Sequence, residues 1–121
     1  VLIDDSIVRG TTSGQIVNLV REAGAKEVHM RISSPPFLNP CYYGTDIDSK
    51  ENLIACHHSI SDIATMIGVD SLGYLPIDKL NELVGNHDYC SACFDGNYPT
   101  AVPSHTNKSR FESKLSERKD K

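Results

Sequence analysis

The chain has 121 residues, and its 12 Lys and Arg against 16 Asp and Glu give a formal charge of −4. This mild acidity excludes a general electrostatic attraction to nucleic acid or anionic lipid, and leaves room for small anions held at a local site. The length fits one small domain, and neither a long apolar run nor a charged-then-apolar leader is present, so a cytoplasmic protein with no membrane contact is expected.

The chain begins VLIDDSIVRGTTSGQ. Val1, Leu2 and Ile3 read as part of a strand buried on both faces of a parallel sheet. Such a strand needs more neighbours than the following sequence supplies, and the chain reads as a C-terminal fragment. Thr12 to Ala23 predicts a helix, with Ile16, Val17, Leu19, Val20 and Ala23 at helical spacing, Thr12 or Ser13 as cap and Gly24 as a left-handed stop. Ala25 to Ser33 alternates, with Val28, Met30 and Ile32 on one face, until Pro35 and Pro36 end it. Strand, turn, helix and strand make a right-handed βαβ unit, so the fold class is α/β with a parallel sheet.

The next stretch, FLNPCYYGTD, is a loop. Ser49 to Ala55 opens a short helix, and Ser61 to Ile67 is another, with Ser59 and Asp62 as a capping pair and Gly68 closing it. Ser71 to Leu75 is a short strand. Pro76 starts a further helix through Val84, with Ile77, Leu80, Leu83 and Val84 apolar and Gly85 at its end. HDYCSACFDGNYP is turn-rich. Ser104 to Lys121 carries six basic and three acidic residues with few apolar anchors, and is expected to be a disordered, solvated tail.

In an open parallel sheet, ligands gather where a strand's carboxyl end leads into a helix N-terminus. Ser6 to Ser13 occupies that place. The helix start offers N–H donors, Gly10 allows close backbone approach, and Thr11, Thr12 and Ser13 add hydroxyls, which suits a phosphate. The adjacent Asp4 and Asp5 would repel that phosphate unless they meet something else. The vicinal hydroxyls of a sugar, or Mg²⁺, satisfy them, so a sugar phosphate fits both halves. Acid pairs at strand ends also serve as plain helix caps or solvated turns, and the residues alone leave both readings open. No nucleotide-triphosphate loop lysine or three-glycine dinucleotide pattern is present.

Four cysteines, Cys41, Cys56, Cys90 and Cys93, include one CxxC pair. That spacing permits a soft metal, a redox disulfide or no function, and a zinc site of the pair with Cys41 and one of Cys56, His57, His58 or His87 ranks level with none. Cys56, within LIAC, reads as a structural thiol. His57 and His58 read as helix-end residues, and Tyr42, Tyr43 and Tyr74 as packing residues.

VLIDDSIVRGTTS resembles the phosphoribosyl-pyrophosphate (PRPP) motif of type I phosphoribosyltransferases. REAGAKEVHMRISSPPFLNPCYYGTDI, LIACHHS, IGVDSLGYLPIDKL and CSACFDGNYPT are more specifically similar to the C-terminal part of the amidophosphoribosyltransferases, in their iron–sulfur-containing branch. The likeness covers residues 1–100 and leaves the tail, 101–121, outside. It implies a partial type I phosphoribosyltransferase fold with an irregular helical C-terminal segment. It also implies the first committed step of purine synthesis, in which PRPP, glutamine and water give 5-phosphoribosylamine, glutamate and pyrophosphate.

On these positions the resemblance implies that Asp4 and Asp5 hold the ribose hydroxyls and Mg²⁺. Ser6, Ile7, Val8, Arg9, Gly10, Thr11 and Thr12 would wrap the 5-phosphate, and no nucleophile is needed in this segment. Cys41, Cys90 and Cys93 would be ligands of a [4Fe–4S] cluster whose fourth ligand lies outside the chain. A glutaminase domain supplying ammonia, purine nucleotide inhibitors and a homo-oligomeric parent are implied as well, and the segment alone is expected to be inactive. A non-catalytic PRPP-sensing regulator would account for the loop without the cysteine motifs. A small metal-binding interaction module would account for the cysteines without the loop.

Overall fold

A computed structural model of the chain describes residues 1–47, 49–85 and 89–102. Strand β1 (Leu2–Asp4) leads through a loop into helix α1 (Thr11–Glu22), and strand β2 (His29–Ile32) follows. A single 3-10 turn at Lys50–Asn52 precedes helices α2 (Ile54–His57) and α3 (Ile60–Ile67), strand β3 (Ser71–Tyr74) and helices α4 (Ile77–Val84) and α5 (Ala92–Asp95). The strands form one parallel sheet in the order β1-β2-β3, with Leu2 beside Met30 and Met30 beside Leu72. This is the expected α/β architecture with its parallel βαβ unit.

Alternation along the strands sorts the side chains. Leu2, Met30, Ile32, Leu72 and Tyr74 face a core completed by Val17 of α1, Ile54 of α2, and Ile63 and Ile67 of α3. Val17 and Ile63 are fully buried, and each such side chain contributes about 1.5–3 kcal/mol. The other face holds Ile3, Arg31 and Gly73. Ile3 is 80% exposed, so within the described residues β1 is covered on one face, not on both as its apolar run predicts. A second, smaller core of Phe37, Ile47 and Leu53 sits beneath the loops, bordered by Val8, Cys41, Cys56, Cys93 and Phe94.

Local chemistry accounts for most of the element ends. The amide of Ala25 bonds Val20 O at 3.2 Å and that of Gly24 bonds Arg21 O at 2.9 Å, with Gly24 at φ +100°. This double closure ends α1 where the glycine predicts. At α3, Ser59 and Asp62 form the expected reciprocal cap, which holds the Asp62 carboxyl below its ordinary range.

Several expectations need correction. Helix α1 starts at Thr11 with Gly10 in the cap position, and Ser13, expected as a cap, lies within the first turn and is buried. Strand β2 is shorter than Ala25 to Ser33. The helix expected over Ser49 to Ala55 is broken at Leu53, which is extended. The break sends Leu53 into the small core and Ile54 into the large one, a division that one continuous helix does not permit. Helix α5 lies in the stretch read as turns, and Leu83 of α4 is 74% exposed. Tyr42 and Tyr43 pack against Tyr98, as packing residues do. The tail reading for Ser104 to Lys121, and His87, lie outside the described residues.

Candidate functional site

Strand β1 delivers Asp4 and Asp5 to the carboxyl end of the sheet. The amide and hydroxyl of Ser33, just past β2, both donate to the Asp4 carbonyl, at 2.9 and 3.2 Å. That strap fixes the exit of β1 against the exit of β2. The Asp4 carboxylate accepts from the Asp5 amide at 2.9 Å, and the Asp5 carboxylate accepts from the Ser6 hydroxyl at 3.1 Å. Both acids are oriented by their immediate neighbours and retain further acceptor capacity.

The loop that follows is pinned from below. Ile7 is buried in the main core and Val8 borders the smaller one, so these residues can meet a ligand through their backbone, not their side chains. The Ile54 amide donates to Val8 O at 2.9 Å. Gly10 takes φ +81°, and a Cβ there would stand 2.9 Å from Cδ1 of Ile54. Glycine is required both for the left-handed turn and for that close approach.

With glycine in the cap position, no side chain caps α1 and no acid occupies its first turn. The first intrahelical bond runs from the Gly14 amide to Gly10 O at 3.0 Å. The amides of Thr11, Thr12 and Ser13 precede it and carry the helix's positive end. Carboxylates and helix terminus open on one cavity of about 690 Å³ lined by Asp4 through Ser13, Ile16 and Asp46. All nine positions from Asp4 to Thr12 named in the sequence are therefore brought together. Ile16, one of the apolar residues at helical spacing, is 37% exposed. Asp46 carries no sequence signal, and only the folding of the Cys41–Ile47 loop brings it to this wall.

The thiols occupy a separate region. All four cysteines are thiols rather than disulfides. Leu38 and Asn39 donate their amides to the Cys93 carbonyl at 2.9 and 3.0 Å, and the Cys56 thiol donates to Leu38 O at 3.3 Å. Phe37 stacks on Phe94 with ring centroids 5.0 Å apart, so backbone bonds and ring packing tie α5 to the Pro40 loop. Burial pushes the Cys93 thiol up from its ordinary range, and the neighbouring Cys41 and Cys90 add to the shift. Cys90 is exposed.

Among the described residues no group of three or more His, Cys, Asp or Glu side chains is placed to hold a metal ion. For Mg²⁺ the donor chemistry still fits, because that ion keeps several waters and uses one or two carboxylates with substrate oxygens, which Asp4 and Asp5 can supply. A four-iron cluster asks for four thiolates. Of the three cysteines named for it, Cys41 and Cys90 lie close enough to Cys93 to push its thiol up, and the three can supply soft thiolate donors.

No protein-family model matches the chain. Curated relatives do: it is 52% identical over 114 residues to the amidophosphoribosyltransferase of Synechococcus elongatus, covering 91% of this chain and 23% of that protein. It is 56% identical over 102 residues to the amidophosphoribosyltransferase of Methanocaldococcus jannaschii, covering 84% of this chain and 22% of that protein. The solved glutamine PRPP amidotransferase of B. subtilis, complexed with ADP and GMP, superposes with a TM-score of 0.77 at 49% identity, over 86% of this chain and 24% of that one.

The chain matches one segment of the amidophosphoribosyltransferases. It spans about a quarter of the length of the curated relatives it matches, 23% of the Synechococcus protein. Its three parallel strands and covering helices are the corresponding part of the amidophosphoribosyltransferase fold, a partial type I phosphoribosyltransferase sheet. Among the described residues no helix is long and apolar enough to cross a membrane.

Proposed function

We propose that the cavity binds PRPP, and that the protein to which this segment belongs transfers ammonia derived from glutamine onto it, opening purine synthesis. The observation that carries the reading is the placement of the Asp4–Asp5 pair and the uncapped N-terminus of α1 on one cavity wall. The 5-phosphate fits the amides of Thr11 to Ser13 with the Thr11 and Thr12 hydroxyls, and the ribose diol donates to Asp4 and Asp5.

In this reading the nitrogen lone pair of ammonia forms a bond to C1 of the ribose. The bond from C1 to pyrophosphate breaks, its electron pair leaves with pyrophosphate, and the ammonium product then loses a proton. Positive charge develops on the ring as the leaving group departs, and the two carboxylates stabilise it. Binding the phosphate on a preorganised turn fixes C1 in position, which lowers the entropic part of the barrier. Asp4 and Asp5 would hold Mg²⁺, which when bound would supply neutralisation of the diphosphate charge. Glutamine hydrolysis belongs to the part of the relatives' length outside this segment, and a cytoplasmic, homo-oligomeric parent inhibited by purine nucleotides completes the proposal.

For the thiols we propose Cys41, Cys90 and Cys93 as three ligands of a [4Fe–4S] cluster whose fourth ligand lies beyond the segment. The support is their soft donor chemistry and the sequence likeness. No catalytic step depends on the cluster.

The test uses the full-length protein purified anaerobically. Glutamine-dependent pyrophosphate release that is lost in the Asp4→Asn, Asp5→Asn double variant is the expected outcome. PRPP binding without turnover would instead identify a regulator. Stoichiometric iron and sulfide are expected, and zinc in their place would overturn the cluster assignment.

A further inference from the structure

We infer that Asp46 is a third ligand-contacting carboxylate of this cavity, accepting hydrogen bonds from the hydroxyls or the metal-held water of a magnesium-complexed sugar phosphate. The inference rests on the sugar-phosphate reading and extends it to a residue far from the motif in sequence. Asp46 lines the same cavity as Asp4 and Asp5 although it belongs to the loop after β2. Its position is held by its neighbours: Ile47 is 4% exposed in the small core, the Cys41 amide donates to Ile47 O at 3.3 Å, and the Ile47 amide donates to Thr45 O at 2.9 Å.

Three other aspartates are committed to the fold. Asp62 caps α3, Asp70 receives Arg21 and the Val28 amide, and Asp95 receives Ser91 and the Asn97 amide. Among the described residues Asp46 has no such bond, so its acceptor capacity remains for a ligand. A third negative charge on the wall also disfavours an uncomplexed polyanion, because like charges repel. It therefore selects a ligand that arrives with hydroxyl donors or a bound cation.

The experiment measures binding of PRPP with Mg²⁺, and of ribose 5-phosphate without Mg²⁺, by calorimetry on the full-length protein and on its Asp46→Asn and Asp4→Asn variants. Far-UV dichroism and thermal melting check the fold of each. Asp46→Asn is expected to weaken magnesium–PRPP binding roughly tenfold, the scale of one lost charge-assisted hydrogen bond. Weakening of both ligands places the contact on a hydroxyl, and weakening of magnesium–PRPP alone places it on metal-held water. If Asp46→Asn leaves both unchanged while Asp4→Asn weakens them, the role of Asp46 is overturned and the site reading stands. If neither variant changes binding, the site reading falls and takes the inference with it.

Discussion

The amide of Ile54 donates to the carbonyl of Val8 across 2.9 Å, joining the loop after β1 to a short helix 46 residues further along the chain. The side chain of the same isoleucine ends beneath Gly10. The turn from Val8 to Gly10 is thus supported at both its middle and its end by one residue of the core.

Ile54→Ala removes most of a side chain that is 7% exposed, and such a truncation costs about 2–5 kcal/mol. The backbone bond to Val8 survives, but the floor under Gly10 does not. A lower urea midpoint in the full-length protein together with a raised KM for PRPP is the expected result, read from denaturation curves and initial rates.

Gly10→Ala places a Cβ 2.9 Å from Cδ1 of Ile54 in a backbone with φ +81°. The left-handed conformation alone costs on the order of 1 kcal/mol for alanine, and the close contact adds to it. Combining it with Ile54→Val relieves the contact and leaves the backbone strain. The double variant is expected to recover part of the PRPP affinity lost in the single one, as measured by calorimetry.

Asp70 accepts from the Val28 amide at 2.7 Å and from Arg21 at 2.8 Å, and those bonds, the Val28 amide first, hold its carboxyl below the ordinary value of 3.8. The sign follows from linkage: a carboxylate with a depressed folded pKa contributes stability above its unfolded value, and that contribution disappears as pH falls through the folded one. Asp70→Ala is expected to lower the melting temperature at pH 7. The gap between variant and wild type should close as the pH is taken well below 3.8, which thermal melts across a pH series will show.

Burial disfavours the Cys93 thiolate, whereas Cys90 is exposed. Because the thiolate is the reactive form, timed alkylation of metal-free protein by iodoacetamide at pH 8 should modify Cys90 several-fold faster than Cys93. Peptide mass spectrometry gives both rates from one experiment.

Local signals in the sequence are strong where the chemistry is local. Ser59 with Asp62, Gly24 and Gly68 mark helix ends because a cap or a left-handed turn is satisfied within a few residues. Alternation at Val28, Met30 and Ile32 marks the central strand because its period matches the pleat. The break at Leu53 was not legible, since it arises from two cores competing for adjacent side chains. Nor was α5, whose four residues lie too close to the turn chemistry around them to carry a period. Ser13 was misread because serine is a good cap in isolation, while here Gly10 takes that position.

By itself the sequence determined the parallel α/β class, the acid pair beside a glycine-bearing turn, and the kinship that 52% identity makes plain. These depend on residue type and short spacing. Tertiary structure alone decided that α1 presents an uncapped end to the cavity, that Ile54 supports the turn from below, and that Asp46 joins the wall. The last two are meetings of segments distant along the chain, set by which apolar side chains could be buried together.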